Sequence, residues 1–347
     1  MNCLCAATVS LPRRGFLTSL LGGAALASGC AQSGAPAASL RSRIDTHHHS
    51  FSPAYVAELD KAGQAAPIVK SWSVARTLDD MDKAGVATSI LSVTTPQVGF
   101  ADVATARRMA RESNEWTAQL AQQHKGRFGQ FAMLPMQDMD SALREVEYAL
   151  DVLKADGIGL LTSYGDKWLG HVSFLPLMDE LNRRGTILYS HPTAANCCRN
   201  LLPDVPPTVI EFGTDTTRAI TNILFSGTAA RTPNIRYIFS HAGGSLPFLA
   251  ERLIKLPLQD PKLAPRVPQG VLHELQRFYY DTAWAANPMA LSALLKLVTP
   301  QQVLLGSDYP YRSGEDNVKG LVDFGLASAD LQSIVRGNAL RLMPRWA

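Results

Sequence analysis

From residue 43 onward, short apolar runs alternate with longer amphipathic stretches, and no internal linker interrupts them. The runs at 44–46, 87–93, 128–134, 157–162, 186–190, 235–240, 278–282 and 302–306 are short and evenly apolar, and read as buried strands. Between them, 73–84, 102–124, 139–154, 174–184, 216–229, 245–255, 288–298 and 316–324 carry apolar residues at helical spacing. No helix-forming pattern is expected before about residue 72. Eight strand–helix alternations predict a (β/α)8 TIM barrel, an α/β fold. An open doubly wound sheet would alternate in the same way, but no Gly-rich phosphate loop follows the first strand. A final helix at 328–343 is expected to cap the barrel.

The first 42 residues fall outside this alternation. "PRRGFLTSLLGGAALASGCA" (12–31) has paired arginines, then Phe16 and Leu17, then an apolar stretch too short to span a bilayer. It resembles a bacterial twin-arginine export signal, with Pro12 where Ser or Thr is usual. "LASGC" (26–30) resembles a lipoprotein cleavage site with Cys30 as the lipidated residue; Ala27 stands where leucine is commoner, and an anchored or a free N-terminus both stay open. The expected organisation is a signal over 1–30, a linker over 31–42 and one barrel domain over 43–347, exported to the periplasm.

Charge narrows the choice of partners. The formal charge is +3, and the loss of residues 1–29 with Arg13 and Arg14 leaves 31 basic against 30 acidic residues. A nearly neutral chain gives no reason to expect nucleic-acid binding. With 46% apolar and 18% charged residues, it suits a globular enzyme with a large core. Five cysteines are too few for a disulfide framework at this length, and Cys197 and Cys198 are expected to be two plain buried thiols.

The candidate chemistry lies at strand ends, where a barrel places its active site. "RIDTHHHSFSP" (43–53) sets His47 and His49 two apart on one strand, so both point to one side and His48 to the other. His191 ends "ILYSHPT", His241 ends "YIFSHAGG", and Asp308 follows the eighth strand in "LLGSDYPY". Four histidines and an aspartate can converge at the barrel mouth, a donor set that suits Zn2+, with Mn2+ or Fe2+ also compatible. His124, His171 and His273 lie in helical stretches or a loop and are read as structural.

"DTHHH", "SHP", "SHAGG" and "GSDYP" resemble the amidohydrolase superfamily, over about 43–345. "GIGLLTSYGDKWLG", "EFGTDTTRAITNILFSG" and "FSHAGGSLPFLAERL" are most similar to its metal-dependent decarboxylases of the 6-methylsalicylate type. The resemblance implies that His47, His49, His191 and Asp308 bind one divalent ion, with Zn2+ expected and Mn2+ the alternative. It implies His241 as acid/base, and His241 or Asp308 as proton donor in a nonoxidative decarboxylation of a small aromatic carboxylate. Hydrolysis of a lactone or amide by metal-bound hydroxide is the alternative, since the same five residues serve both reactions. No lysine ends the fourth strand, so a carbamylated bridge between two metals is not expected. Relatives of this kind are often homodimers.

Other site candidates rest on position alone. Phe51, Trp72, Tyr164, Trp168, Phe212, Trp284 and Tyr309 lie near strand ends and either line an aromatic pocket or fill the core. Arg76 and Arg218 are candidates for a substrate carboxylate, although "DTTRA" (215–219) reads as a helix start capped by Asp215. Asp281, at the end of strand seven, either orients a ligand histidine or caps a helix.

Overall fold

The computed structural model describes residues 42–199 and 201–347, so the expected export signal, Cys30 and nearly all of the linker lie outside the described residues. Eight parallel strands follow one another in chain order: β1 Arg43–His49, β2 Val86–Ser92, β3 Phe128–Met133, β4 Gly157–Leu161, β5 Ile187–His191, β6 Arg236–Phe239, β7 Tyr279–Asp281 and β8 Val303–Leu304. The sheet curls round until its first strand meets the segment around β8. There Thr46 N–H donates to Leu305 O (2.9 Å), Asp308 N–H to His47 O (2.8 Å) and His49 N–H to Tyr309 O (2.8 Å). Those three bonds place the two ends of the sequence motif side by side at the mouth.

The interior of the barrel is filled by one inward residue or two from most strands, among them Ile44, Ile90, Phe131, Ile187, Tyr189, Ile238 and Leu304. Ala339, Leu342 and Met343 join that cluster and close the bottom. Asp156 ties the closure down, accepting from Trp346 Nε1 (2.8 Å) and Arg345 Nη2 (2.5 Å). A larger apolar layer fills the space between the strands and the outer helices. No helix among the described residues is long and apolar enough to cross a membrane.

The helices start where their sequences provide caps. Ser52, Asp102, Asn287 and Ser313 each accept a hydrogen bond from a backbone N–H of the first turn, and Pro53 and Pro288 open two of these helices. Several helices depart from the sequence pattern. Pro53–Lys61 and Pro67–Lys70 are helical although no pattern announced them; both are short and begin at proline. The helix expected from 216 runs from Pro207 to Phe225, so Asp215 is buried in its middle and caps nothing. Gly213 and a run of threonines weaken the helical pattern there, and Gly244 packs closely on the backbone of Gly213. A Cβ on Gly244, whose φ is +67°, would collide with Gly213 O, and Ser245 N–H donates to that oxygen (3.2 Å). The expected terminal helix is broken into Ser328–Gln332, a wider turn over Ser333–Gly337, and Asn338–Leu342.

The cysteine expectation is corrected. A tight turn over Asn196–Cys198 brings the two side chains together, and Cys197 and Cys198 form a disulfide with Cys197 exposed.

Gly244→Ala is expected to cost about 2–4 kcal/mol, because a left-handed backbone and a collision with Gly213 act together. Gly63→Ala shares the positive φ (+67°) but meets nothing within 4 Å, and is expected to cost only about 1 kcal/mol. Denaturant melts of the two variants check this; equal losses would refute the packing role of Gly244.

Candidate metal centre

β1 turns His47 and His49 inward, and β5 ends on His191. Asp308 follows β8 with φ +69°. One ligand atom from each of these four residues lies within 4.8 Å of the others, and all four are buried. Asp308 Oδ1 is the common point: His49 Nε2 lies 2.9 Å from it, His47 Nε2 3.0 Å and His191 Nε2 4.0 Å.

The far side of each ring is held by a carboxylate or carbonyl. His47 Nδ1 donates to Asp281 Oδ2 (2.8 Å), His49 Nδ1 to Ser92 O (3.3 Å) and His191 Nδ1 to Pro192 O (2.9 Å). A carbonyl only accepts, so the Nδ1 proton is fixed on His49 and His191, and their Nε2 lone pairs face the centre. This is how proteins orient metal-binding imidazoles.

The electrostatics point the same way. Burial pushes the His49 and His191 imidazoles down, His191 well below the ordinary range, so both are neutral. Burial also disfavours charge on His47, but Asp281 and Asp308 outweigh it and raise the imidazolium to about 10. Asp308 is held well below the carboxylate range: burial opposes ionisation, and the neighbouring His47 charge with its hydrogen bond prevails. His49 Nε2 and Asp308 Oδ1 therefore both present lone pairs across 2.9 Å. Two lone pairs at that distance repel, and a cation at the centre relieves it. The residues present fit one divalent ion bound by three imidazoles and one carboxylate, a donor set of the zinc and manganese kind. No lysine ends β4; there Thr162 donates to Asp215 Oδ2.

His241 stands apart from the four. Its Nε2 lies 3.5 Å from Asp308 Oδ2 and makes no hydrogen bond, and its side chain is 12% exposed. Its backbone has φ +54°, and its N–H donates to Asp281 Oδ1 (2.9 Å). Asp281 thus orients His47 and also accepts from Ala283 N–H (3.0 Å) in the turn after β7. His48 points away from the centre, donating to Asp45 Oδ2 (3.0 Å) and stacking on Tyr309 (4.8 Å between centroids).

Most of the aromatic candidates belong to the core. Phe51 and Trp72 pack on each other and on Tyr55 and Trp116. Tyr164 bonds Gln97, and Trp168 Nε1 donates to the buried Asp215 (2.6 Å). Phe212 lies against His191 (6.2 Å), and Trp284 Nε1 donates to Asp308 Oδ2 (2.6 Å). Arg218 pairs with Glu211 (3.2 Å) and Arg76 donates to Ser71 O (2.9 Å), so both cations have local partners. His124, His171 and His273 take no part in the centre: His124 ends one helix, His171 caps a short turn and His273 lies within a helix.

Sequence reasoning did not find Asp45. It accepts from His47 N–H and Ser307 N–H (both 3.0 Å) and from Ser307 Oγ (2.5 Å), clasping the first motif to the last. Its signal was available: an acid two residues before His47 and a serine next to Asp308.

A model of the family described as amidohydrolase matches residues 44–345. A decarboxylase of Penicillium terrestre (macB) is 36% identical over 326 residues, covering 88% of this chain and 95% of that one. A 6-methylsalicylic acid decarboxylase of Penicillium expansum is 34% identical over 313 residues, covering 87% and 96%. Among solved structures, a dihydroxybenzoic acid decarboxylase of Polaromonas sp., with bound manganese and the inhibitor 2-nitroresorcinol, has a TM-score of 0.75 at 23% identity, covering 87% and 96%. The family match begins in β1 and ends in the segment that closes the barrel bottom, and on it the chain belongs to the amidohydrolase family.

Proposed function

We propose that this protein is a metal-dependent nonoxidative decarboxylase of a small aromatic carboxylic acid, with 6-methylsalicylate or another hydroxybenzoate as substrate. The observation that carries the reading is the buried group of three histidines and Asp308 beside an unpartnered His241, in a chain 34% identical to a 6-methylsalicylic acid decarboxylase. His47, His49, His191 and Asp308 are the metal ligands in this reading. Three imidazoles and one carboxylate favour Zn2+, and the manganese in the Polaromonas structure makes Mn2+ the alternative.

When bound, the ion supplies a Lewis acid that orients the carboxylate and neighbouring phenolic oxygen and stabilises negative charge on them. The remaining chemistry belongs to side chains. His241 holds a proton at Nε2 and delivers it to the ring carbon that bears the carboxylate. The bond from that carbon to the carboxylate then breaks, its electron pair restores the aromatic ring, and CO2 leaves. Asp308 stays ionised, and its Oδ2 steadies His241 during the transfer. The net reaction consumes one proton, and the partial exposure of His241 lets solvent replace it. Export through the twin-arginine route is part of the same proposal, supported by Arg13, Arg14 and the apolar run after them.

Product analysis with 6-methylsalicylate, other salicylates and simple lactones, with and without chelator, tests the reaction. Chelator-sensitive release of CO2 and a phenol is expected, and His241→Ala is expected to lower kcat by about 10²–10⁴-fold with the metal retained. Lactone opening without CO2 would assign hydrolysis instead.

The ligand set has its own test, in calorimetry with Zn2+ or Mn2+. His47 is protonated up to about pH 10 without an ion, whereas a ligand histidine must be neutral. Binding at pH 7–8 is therefore expected to release about one proton, and apparent affinity to rise about tenfold per pH unit below 10. Asp281→Asn is expected to weaken binding by about 10–100-fold. Binding without proton release would show that His47 is already neutral in the metal-free protein, and loss of binding in His47→Ala tests its role as ligand.

A further inference from the structure

Trp284 is conspicuous on three counts. It has φ +57°, a conformation that a bulky residue adopts only when its surroundings enforce it. Its side chain is 54% exposed although its Nε1–H reaches a buried carboxylate, Asp308 Oδ2, at 2.6 Å. Finally, the Arg312 guanidinium lies 5.6 Å from the centre of its ring.

The two oxygens of Asp308 have different neighbours. Oδ1 faces His47 and His49, while Oδ2 faces His241 and accepts from Trp284. A free carboxylate can rotate and offer both oxygens to a cation. An N–H bound to Oδ2 holds it away from the centre and keeps Oδ1 directed inward. That bond also fixes the indole beside the centre, with half of its surface open to solvent. The turn after β7 locks this arrangement: Asn287 Nδ2 donates to Trp284 O (3.3 Å), and Ala285 N–H donates to Thr282 O (2.9 Å).

We propose that Trp284 is a positioning residue at the mouth: its indole N–H sets Asp308 as a one-oxygen ligand, and its open ring face takes the aromatic ring of the substrate. The ring half of this proposal rests on the aromatic-acid reading above; the Asp308 half does not. An indole face and a nearby guanidinium suit an aromatic anion.

Two variants separate the halves. Trp284→Phe keeps an aromatic face and removes the N–H; Trp284→Ala removes both. Thermal melts confirm that each is folded. The first measurement is Mn2+ affinity by calorimetry, with the electron paramagnetic resonance spectrum of bound Mn2+ as a signature of its ligand geometry. Both variants are expected to bind Mn2+ about tenfold more weakly, with an altered spectrum, because a hydrogen-bonding partner of a ligand is lost. Wild-type affinity and spectrum in Trp284→Phe would overturn the Asp308 half.

The second measurement is salicylate binding to the Mn2+-saturated proteins, which needs no turnover. Trp284→Phe is expected to bind salicylate within about twofold of wild type, and Trp284→Ala about tenfold more weakly, as for loss of a stacked aromatic partner. Equal salicylate affinity in the two variants would overturn the ring half. If wild type bound no salicylate, the ring half would fall together with the aromatic-acid reading, and the Mn2+ data would still decide the role of the N–H.

Discussion

Three elements at the mouth of this barrel are tied together by one buried carboxylate, Asp281. Its Oδ2 accepts from His47 Nδ1 and its Oδ1 from the backbone N–H groups of His241 and Ala283. One side chain thus fixes the ring orientation of a strand-one histidine, the position of His241 after strand six and the start of the turn that carries Trp284. It is fully buried, so its two oxygens depend on those three donors for their hydrogen bonds. Remove the side chain and the three neighbouring elements lose their common reference point.

The second constraint is backbone strain, much of it gathered at the same place. His241, Ala242, Trp284 and Asp308 all have φ between +54° and +69°. Such residues persist only where surrounding bonds hold them, and here each is next to a strand that the barrel has already fixed. Asp308 is held by its N–H to His47 O, His241 by its N–H to Asp281, and the loop after β6 by the close approach of Gly244 to Gly213. The stiffness of the sheet lets short, strained turns aim side chains that longer loops would leave free.

The clasp between Asp45 and Ser307 has a related role. It joins the first strand to the segment after the last, so closure of the barrel and assembly of His47, His49 and Asp308 are one event. The site is not added to a finished fold. It sits on the seam that finishes it.

The eight strands, their order and the histidines and aspartate at their ends were legible in the sequence, because each is a local signal. A short apolar run ending in histidine or aspartate needs no knowledge of its neighbours, and the alternation of a strand separates His47 and His49 from His48 without further help. The start of the helix at Pro207, the place of Asp215 within it and the bond between Cys197 and Cys198 were not legible. Gly213 and the threonines beside it weaken the helical pattern, and only the folded chain shows the helix running through them. Nor could position near a strand end tell Trp284 and Phe212 from Trp72 and Phe51. The sequence by itself determined which residues stand at the strand ends. Tertiary structure alone decided which acceptor holds each of them: Asp281 lies 234 residues from His47, and no periodicity in the chain encodes a contact that exists only once the barrel has closed.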